Sequence, residues 1–360
     1  MNDQPLRLLW FNLVTDADAP IQGFTTNWIN ALAPHCQYID VITMQAGRIA
    51  VADNVRVFSL GKERGHSEPY RAVVFYRLLF NLLRERHYDA CFAHMQPLFT
   101  VMGGPLLKLY NIPLTLWYTH KSVTPKLQQA ERLAYRVVTA SPESFRIVSD
   151  KVRVVGHGID TQFFTPAAER QNGKFTILSV SRISPVKRLE HIIEAAHRLA
   201  QDDHDFCLRI VGNVYPHDEA YARQLHQMVE NLNLEDKVEF AGEVPHHAIA
   251  QEYHQANVMI NMSNTGSVDK AVLEAMACEM PVITANEAFE PILARWGQHL
   301  LTPMDAPDIL AERIQRVAAM TDQERAKLGQ DLRELVLREH SLDRLTEILL
   351  SIFRTGELPV

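Results

Sequence analysis

Three cations stand close together at Arg182, Lys187 and Arg188, inside the segment SVSRISPVKRLEHIIEAA. The apolar run before them reads as a strand and the pattern after them as a helix. Positive charge at a helix amino end opposes the helix dipole. A bound polyanion gives those cations a reason to be there. Arginine grips oxygens with a planar fork, and lysine supplies a compact charge. A solvated loop with ordinary cations is the alternative. A second group lies in NTGSVDKAVLEAMACEMPVITAN, Asn264 to Asn286. Gly266 permits close ligand approach, and Ser267 is a candidate helix cap. Backbone N–H groups at Val268 and Asp269 would then face an anion; an ordinary cap before a core helix is the other reading. Glu274 interrupts an apolar run and needs a partner or solvent. A ribose diol would donate two hydroxyls to it; a salt bridge or a capping role is the alternative.

The histidines divide by position. His120 follows the apolar run LTLWYT, where substrate sites form at strand ends, and His94 follows Ala90–Ala93 in the same way; a loop or core role is the alternative for each. His157, in VVGHGID, is flanked by glycines, but the spacing is wrong for a dinucleotide fingerprint and reads as a bend. His246, His247 and His254 lack the cysteine or carboxylate pattern of a zinc site, so surface roles are expected. Asp16 and Asp18 either touch substrate or orient the first loop. No carboxylate pair follows a clear strand, so no metal and no cofactor are expected. Leaving-group charge then falls to Arg182 and Lys187.

These residues need a frame. The chain has 360 residues, enough for two domains, with 47% apolar and 22% charged residues. Its net charge of −7 disfavours a general nucleic-acid binder. Cys36, Cys91, Cys207 and Cys278 sit in or beside apolar runs and read as reduced, buried thiols. The amino terminus lacks secretory character and no run reaches membrane-spanning length. A cytoplasmic location is expected. Apolar runs at Leu6–Leu13, Tyr38–Thr43, Val55–Phe58, Ala90–Ala93, Leu114–Tyr118 and Arg136–Thr139 predict strands. Phe175–Val180, Phe206–Val211, Val238–Phe240, Val258–Asn261 and Val282–Thr284 repeat the scheme. Helical patterns between them predict parallel sheets covered on both faces. The domain boundary is expected near Phe163–Lys174, which turns polar and carries Pro and Gly. The segment Arg71–His87 is apolar on one side and strongly basic. It either rests on an anionic membrane or packs on the sheet with its cations snorkelling outward.

Together the segments resemble the retaining, metal-independent two-domain glycosyltransferase family 4 (glycosyl transferases group 1). The resemblance covers almost the whole chain and is strongest from Val154 to Asn286. The motif GRL-x-x-x-K of that family appears as Ser181-Arg182-Ile183 and then Lys187, with Arg188 where glycine is usual. The motif EAMAC-x-x-PV is Glu274 to Val282. The first glutamate of the family's usual pair is replaced by Gly266, eight residues before Glu274. The resemblance implies an α/β fold of GT-B architecture, two doubly wound Rossmann-like domains facing across a cleft. It implies an acceptor-side domain over 1–165 and a donor-binding domain over 166–340. A helix over 341–360 is expected to cross back to the first domain. By the same resemblance Arg182 and Lys187 contact the donor diphosphate, Glu274 the ribose, and His120 the transferred sugar. Gly23 belongs to a loop touching phosphate and acceptor; Gly242, Glu243 and Val244 frame the base; Gly266, Ser267 and Val268 offer N–H groups. The implied reaction is retaining transfer from a UDP- or GDP-sugar to a hydroxyl of a glycan or lipid-linked glycan. Peripheral membrane contact would run through Arg71–His87 on the cytoplasmic membrane face. A non-catalytic sugar-nucleotide or glycan-binding subunit, a sugar-nucleotide epimerase and a glycan phosphorylase are the alternatives.

Overall fold

Side chains alternate across each strand, so a continuous apolar run can serve two buried faces. The first strand shows how. In β1 (Leu6–Thr15), Leu8 and Trp10 enter one core while Leu9 and Phe11 enter another. The computed structural model describes residues 4–19, 23–168, 173–263 and 265–359. It divides into two units, one of residues 1–158 with 341–360 and one of residues 159–340.

The first unit holds β1, β2 (Cys36–Ala46), β3 (Val55–Ser59), β4 (Ala90–His94), β5 (Leu114–Trp117), β6 (Arg136–Thr139) and β7 (Val152–Val154). They form a parallel sheet of order β3-β2-β1-β4-β5-β6-β7. The strand order reverses between β1 and β4, which makes the switch point where doubly wound sheets bind ligands. Helices α1 (Phe24–Leu32), α2 (Glu68–Glu85), α3 (Pro97–Leu109) and α4 (Pro125–Leu133) make the crossovers. The α3 sequence contains Gly103, Gly104 and Pro105, poor helix formers. Packing overrides propensity there: a Cβ at Gly103 would lie 2.8 Å from the Phe11 ring.

The second unit holds β8 (Phe175–Val180), β9 (Phe206–Val211), β10 (Val238–Gly242), β11 (Val258–Asn261) and β12 (Val282–Thr284), again parallel, in the order β10-β9-β8-β11-β12. Its switch point lies between β8 and β11. Ile177, Ile210 and Ile260 face a core shared with α5 (Leu189–Gln201) and α6 (Glu219–Asn231). Leu178, Val211 and Met259 face the opposite core, with α7 (Ile249–Gln255) and α8 (Lys270–Ala277). Two short turns, α9 (Glu290–Leu293) and α10 (Gly297–Leu300), lead to α11 (Pro307–Ala318) and α12 (Asp322–Glu339). Helix α12 opens on a reciprocal capping box between Thr321 and Glu324.

The last helix, α13 (Leu342–Thr355), belongs to the first unit. Leu345, Ile348, Leu349, Ile352 and Phe353 are buried in the core that holds Trp28 and Phe92. Burial of each such side chain contributes about 1.5–3 kcal/mol. Beyond it Glu357 pairs with Arg136 at 2.5 Å and Arg153 at 2.8 Å.

The units divide at Gly158/Ile159 rather than at 165. The polar, proline-bearing stretch begins only after residues that the second core already claims. Ile159 and Phe164 are buried in that core. Arg333 also donates to the Thr161 and Phe164 carbonyls at 3.2 and 2.8 Å.

Candidate active site

The carboxyl ends of β8, β9 and β10 are tied in series by backbone hydrogen bonds. Ser181 N–H donates to Val211 O at 3.0 Å, Ile183 N–H to Asn213 O at 2.9 Å, and Gly212 N–H to Gly242 O at 2.8 Å. Gly212 makes this possible, because a Cβ there would lie 1.8 Å from the Ser181 carbonyl oxygen. The ladder fixes the loop that carries Arg182 and Lys187.

Arg182 lies with its guanidinium 5.2 Å from the Tyr215 ring centroid, a cation–π contact. Lys187 ends a short 3-10 turn, Pro185–Lys187, ahead of α5. Its Nζ donates to Ser263 Oγ at 3.2 Å and to Asp269 Oδ1 at 3.1 Å. An ammonium has three donors, so one more remains for a ligand. Asp269 Oδ2 accepts from Asn261 Nδ2 at 3.0 Å, and Asn261 Oδ1 accepts from Ser263 N–H and Thr284 Oγ1. The chain Thr284–Asn261–Asp269–Lys187 thus holds the lysine from strands β11 and β12. On the same loop Ser184 is 3% exposed, and its hydroxyl has no partner among the described residues. A buried orphan hydroxyl is a place for an acceptor oxygen from a bound group.

Arg188 follows with φ +52°, in the left-handed region. That angle favours glycine, the residue the family resemblance leads one to expect there. Arg188 also reaches Asp305 at 3.2 Å.

The loop after β11 turns at Gly266, φ +60°. Ser267 does not cap α8. The helix starts at Lys270 with Asp269 in the cap position, and Asp269 makes no capping bond, because its two oxygens are committed to Lys187 and Asn261. The Ser267 carbonyl instead accepts from Asn286 Nδ2 at 2.8 Å, which pins the loop beside β12. Val268 is buried, 4% exposed, in the second unit's core. The first-turn N–H groups belong to Lys270 and Ala271 rather than to Val268 and Asp269.

Glu274 lies one turn along α8. Its Oε2 accepts from Tyr253 Oη at 3.0 Å. Burial raises its pKa, opposed by Lys270 and by Tyr253. Burial pushes Lys270 down to about 7, with Glu274 opposing. The Tyr253 hydroxyl is held far above its ordinary value, by burial first and then by Glu274. Half-buried Lys270 and Glu274 on α8 and buried Tyr253 on α7 form one polar group between the two helices. The carboxyl end of α8 closes in a Schellman motif: Glu279 takes φ +58°, its N–H donates to Met276 O, and Met280 N–H donates to Ala275 O. Gly242 and Glu243 are exposed at the end of β10, with Val244 half-buried beside them.

His120 and Gly23 belong to the first unit. His120 lies past β5; its N–H donates to Ser144 O at 2.9 Å and its Nδ1 accepts from Ser122 N–H at 3.1 Å. The neutral ring therefore carries its proton on Nε2, free to donate. Burial and then the Lys121 charge lower its pKa. Gly23 precedes α1 in an ordinary helical conformation; it is needed for space, since a Cβ would lie 2.7 Å from the Ala19 carbonyl oxygen. Asp16 and Asp18 orient their loop: Asp18 takes Arg48 in a bidentate pair at 2.7 Å, and Asp16 Oδ1 accepts from Asp18 and Arg48 N–H. His94 is buried against Trp28 and Trp117, an aromatic core position.

Sequence reasoning thus missed Asn261, Ser263 and the task of Asp269. Their only sequence signal is a polar run directly after the buried strand Val258–Asn261.

A family model for Glycosyl transferases group 1 matches residues 160–334. The chain carries a group 1 glycosyl transferase domain. That domain includes every residue of the Lys187 network. The putative colanic acid biosynthesis glycosyltransferase WcaL of Salmonella typhimurium is 26% identical over 246 residues, 64% of this chain and 59% of that protein. WcaL of Escherichia coli is matched over 48% of its length, so the chain spans about half the length of these curated relatives. Sucrose-phosphate synthase from Thermosynechococcus elongatus superposes with TM-score 0.81 at 20% identity, over 97% of this chain and 99% of that one. Anabaena HepE, solved with UDP and glucose, superposes with TM-score 0.76 at 19% identity, over 97% and 100%. At these identities the likeness concerns the fold: two parallel-sheet Rossmann-like domains of the GT-B type, the group 1 match falling within the second.

Proposed function

We propose that the chain is a retaining glycosyltransferase that moves a sugar from a nucleotide-diphosphate sugar to a hydroxyl of a glycan or lipid-linked glycan. The observation that carries this is the Lys187 ammonium, held by Asp269 and Ser263 at the carboxyl edge of the second sheet. Arg182 stands five residues earlier on the same loop. The names of the relatives, which include glycan-building enzymes and a structure holding UDP and glucose, support the same reading. Arg182 and Lys187 would stabilise the departing diphosphate. Glu274 would accept the ribose hydroxyls, and Gly242, Glu243 and Val244 would frame a uracil or guanine base. Backbone at Gly266, Ser267 and Val268, with Gly23, would lie along the phosphates and acceptor. His120 would donate its Nε2 proton to a sugar hydroxyl.

In the reaction the bond from the anomeric carbon to the donor phosphate oxygen breaks as the acceptor oxygen bonds to that carbon on the same face. The acceptor proton passes to the departing phosphate oxygen. The reading places the enzyme in the cytoplasm, at the membrane face where a lipid-linked acceptor would be met.

A thermal-shift panel with UDP and GDP on the wild type, Arg182→Gln and Lys187→Met tests it. One nucleotide should raise the wild-type Tm and leave both variants unmoved, and turnover with the matching sugar nucleotide should fall roughly 10²–10³-fold. Wild-type turnover in both variants sinks the assignment.

A further inference from the structure

We propose that Tyr215 is a positioning residue for Arg182, whose ring orders the guanidinium for a diphosphate while leaving its charge whole. The inference rests on the reading above, in which Arg182 and Lys187 hold the diphosphate of the donor. The two cations are held in different ways. The Lys187 ammonium is tied to a carboxylate, Asp269, at 3.1 Å and to the Ser263 hydroxyl at 3.2 Å. Much of its charge is therefore balanced within the protein. Arg182 is half-buried, yet among the described residues no carboxylate pairs with its guanidinium and no hydrogen bond engages it. Its one recorded partner is the Tyr215 ring, with the centroid 5.2 Å from the guanidinium carbon. An aromatic face attracts a cation through its quadrupole and carries no net charge of its own. Arg182 therefore keeps a full positive charge and its N–H donors for a bidentate grip on phosphate oxygens. A carboxylate in place of the ring would hold the arginine as firmly and cancel the charge that a diphosphate needs.

The backbone fixes Tyr215 from both ends of a short loop. On one side Arg182 lies between two rungs: Ser181 N–H donates to Val211 O at 3.0 Å and Ile183 N–H to Asn213 O at 2.9 Å. The pairing continues as a parallel bridge between Ile183 and Val214. The segment leading into Tyr215 thus runs against the segment that carries Arg182. On the other side Asp218 N–H donates to the Tyr215 carbonyl at 2.8 Å, in the 3-10 turn Pro216–Asp218 that leads into α6. The His217 ring stands 5.7 Å from that of Tyr215. An arginine side chain has many rotamers to lose on binding. A ring set by the backbone removes part of that cost before the ligand arrives.

Calorimetric titration with UDP and with GDP first finds the nucleotide that the wild type binds, and Arg182→Gln should weaken it. A wild type that binds neither, or an Arg182→Gln variant that binds as well, overturns the reading of the site and this proposal with it. Where that loss is seen, Tyr215→Leu should weaken the same nucleotide about tenfold, the scale of a partly desolvated cation–π contact. Tyr215→Phe keeps the ring and should bind as the wild type does. In the Arg182→Gln background Tyr215→Leu should weaken binding no further. The matching nucleoside, uridine or guanosine, has no phosphate. By saturation-transfer NMR it should bind Tyr215→Leu and the wild type alike, which also shows that the variant is folded. Three results overturn the role of Tyr215 while leaving that of Arg182 intact. One is an equal loss in Tyr215→Phe, which would make the hydroxyl the ligand. Another is an equal loss for the nucleoside, which would make the ring a general support. The third is additive losses in the double variant.

Discussion

Replacing Asp269 with asparagine changes one atom type and removes one charge, and the cost of that change is set by two hydrogen bonds. Asp269 accepts from Lys187 through Oδ1 at 3.1 Å and from Asn261 through Oδ2 at 3.0 Å. An asparagine in its place can satisfy only one of them. If its oxygen faces Lys187, its amide nitrogen faces the Asn261 amide nitrogen, donor against donor. Asn261 cannot turn round to relieve this, because its own Oδ1 already accepts from Ser263 N–H at 3.3 Å and Thr284 Oγ1 at 3.2 Å. Both members of the ion pair are only 15% exposed, so solvent does little to replace the lost bond. A hydrogen bond to a charged group contributes about 1.5–3 kcal/mol, and we take about 2 kcal/mol for this site. In a domain of this size that lowers Tm by roughly 4–8 °C.

A double-mutant cycle reads the pair itself. Lys187→Met keeps the volume and removes the ammonium, leaving Asp269 with one partner. If Asp269 exists to hold Lys187, the double variant should be little worse than either single one, with a coupling of about 2 kcal/mol. Scanning calorimetry on the full chain measures all four corners. Turnover should decline in step, since a shift of about 1 Å in a charge-stabilising group costs roughly 10²-fold. Additive Tm losses in the cycle, or an Asp269→Asn variant that melts and turns over as the wild type does, would refute the reasoning.

Two further outcomes rest on single groups. His340 is 5% exposed, with neither ring nitrogen partnered among the described residues, and burial pushes its pKa down to about 4 from 6.5. The unfolded chain therefore takes the proton first; stability is fully present above pH 6.5 and falls by about 3 kcal/mol as pH drops to about 4. His340→Leu should flatten this part of a Tm-against-pH curve, and an unchanged slope between pH 6.5 and 4 would count against it. Arg188→Gly removes a left-handed strain of about 1–2 kcal/mol and loses a largely exposed ion pair with Asp305 worth about 0–1 kcal/mol. Tm should rise by a few degrees; a fall would show that Arg188 does more than occupy a glycine position.

The range of the forces involved decides what could be read from the chain and what could not. Strands buried on both faces write themselves as contiguous apolar runs, so β1, β4, β8 and β11 were legible where they stand. β7 was not, because Val152–Val154 is a three-residue edge strand whose middle residue is an arginine paired with Glu357. Helix α3 was hidden by Gly103, Gly104 and Pro105, residues that local propensity rejects; the Phe11 ring demands the first of them. The site divides in the same way. Arg182, Lys187 and Glu274 stand on motifs with local spacing and declare themselves. The partner that fixes Lys187 lies 82 positions away and shows only once β8 and β11 are neighbours in a sheet. Asp269 is therefore no replacement for the carboxylate absent at Gly266, although it is the nearest one in sequence. Both its oxygens are already used, and a carboxylate that holds a lysine in place is not free to hold a sugar. If the chain still recognises its sugar through an acidic group, that group must come from another element than the loop after β11. If it does not, then on the proposed reading the N–H groups around Gly266 would meet the sugar end of the donor without a carboxylate free to bind it. On the proposed reading, specificity would then rest on shape and on neutral donors at the sugar end, and on Lys187 and Arg182 at the phosphate end.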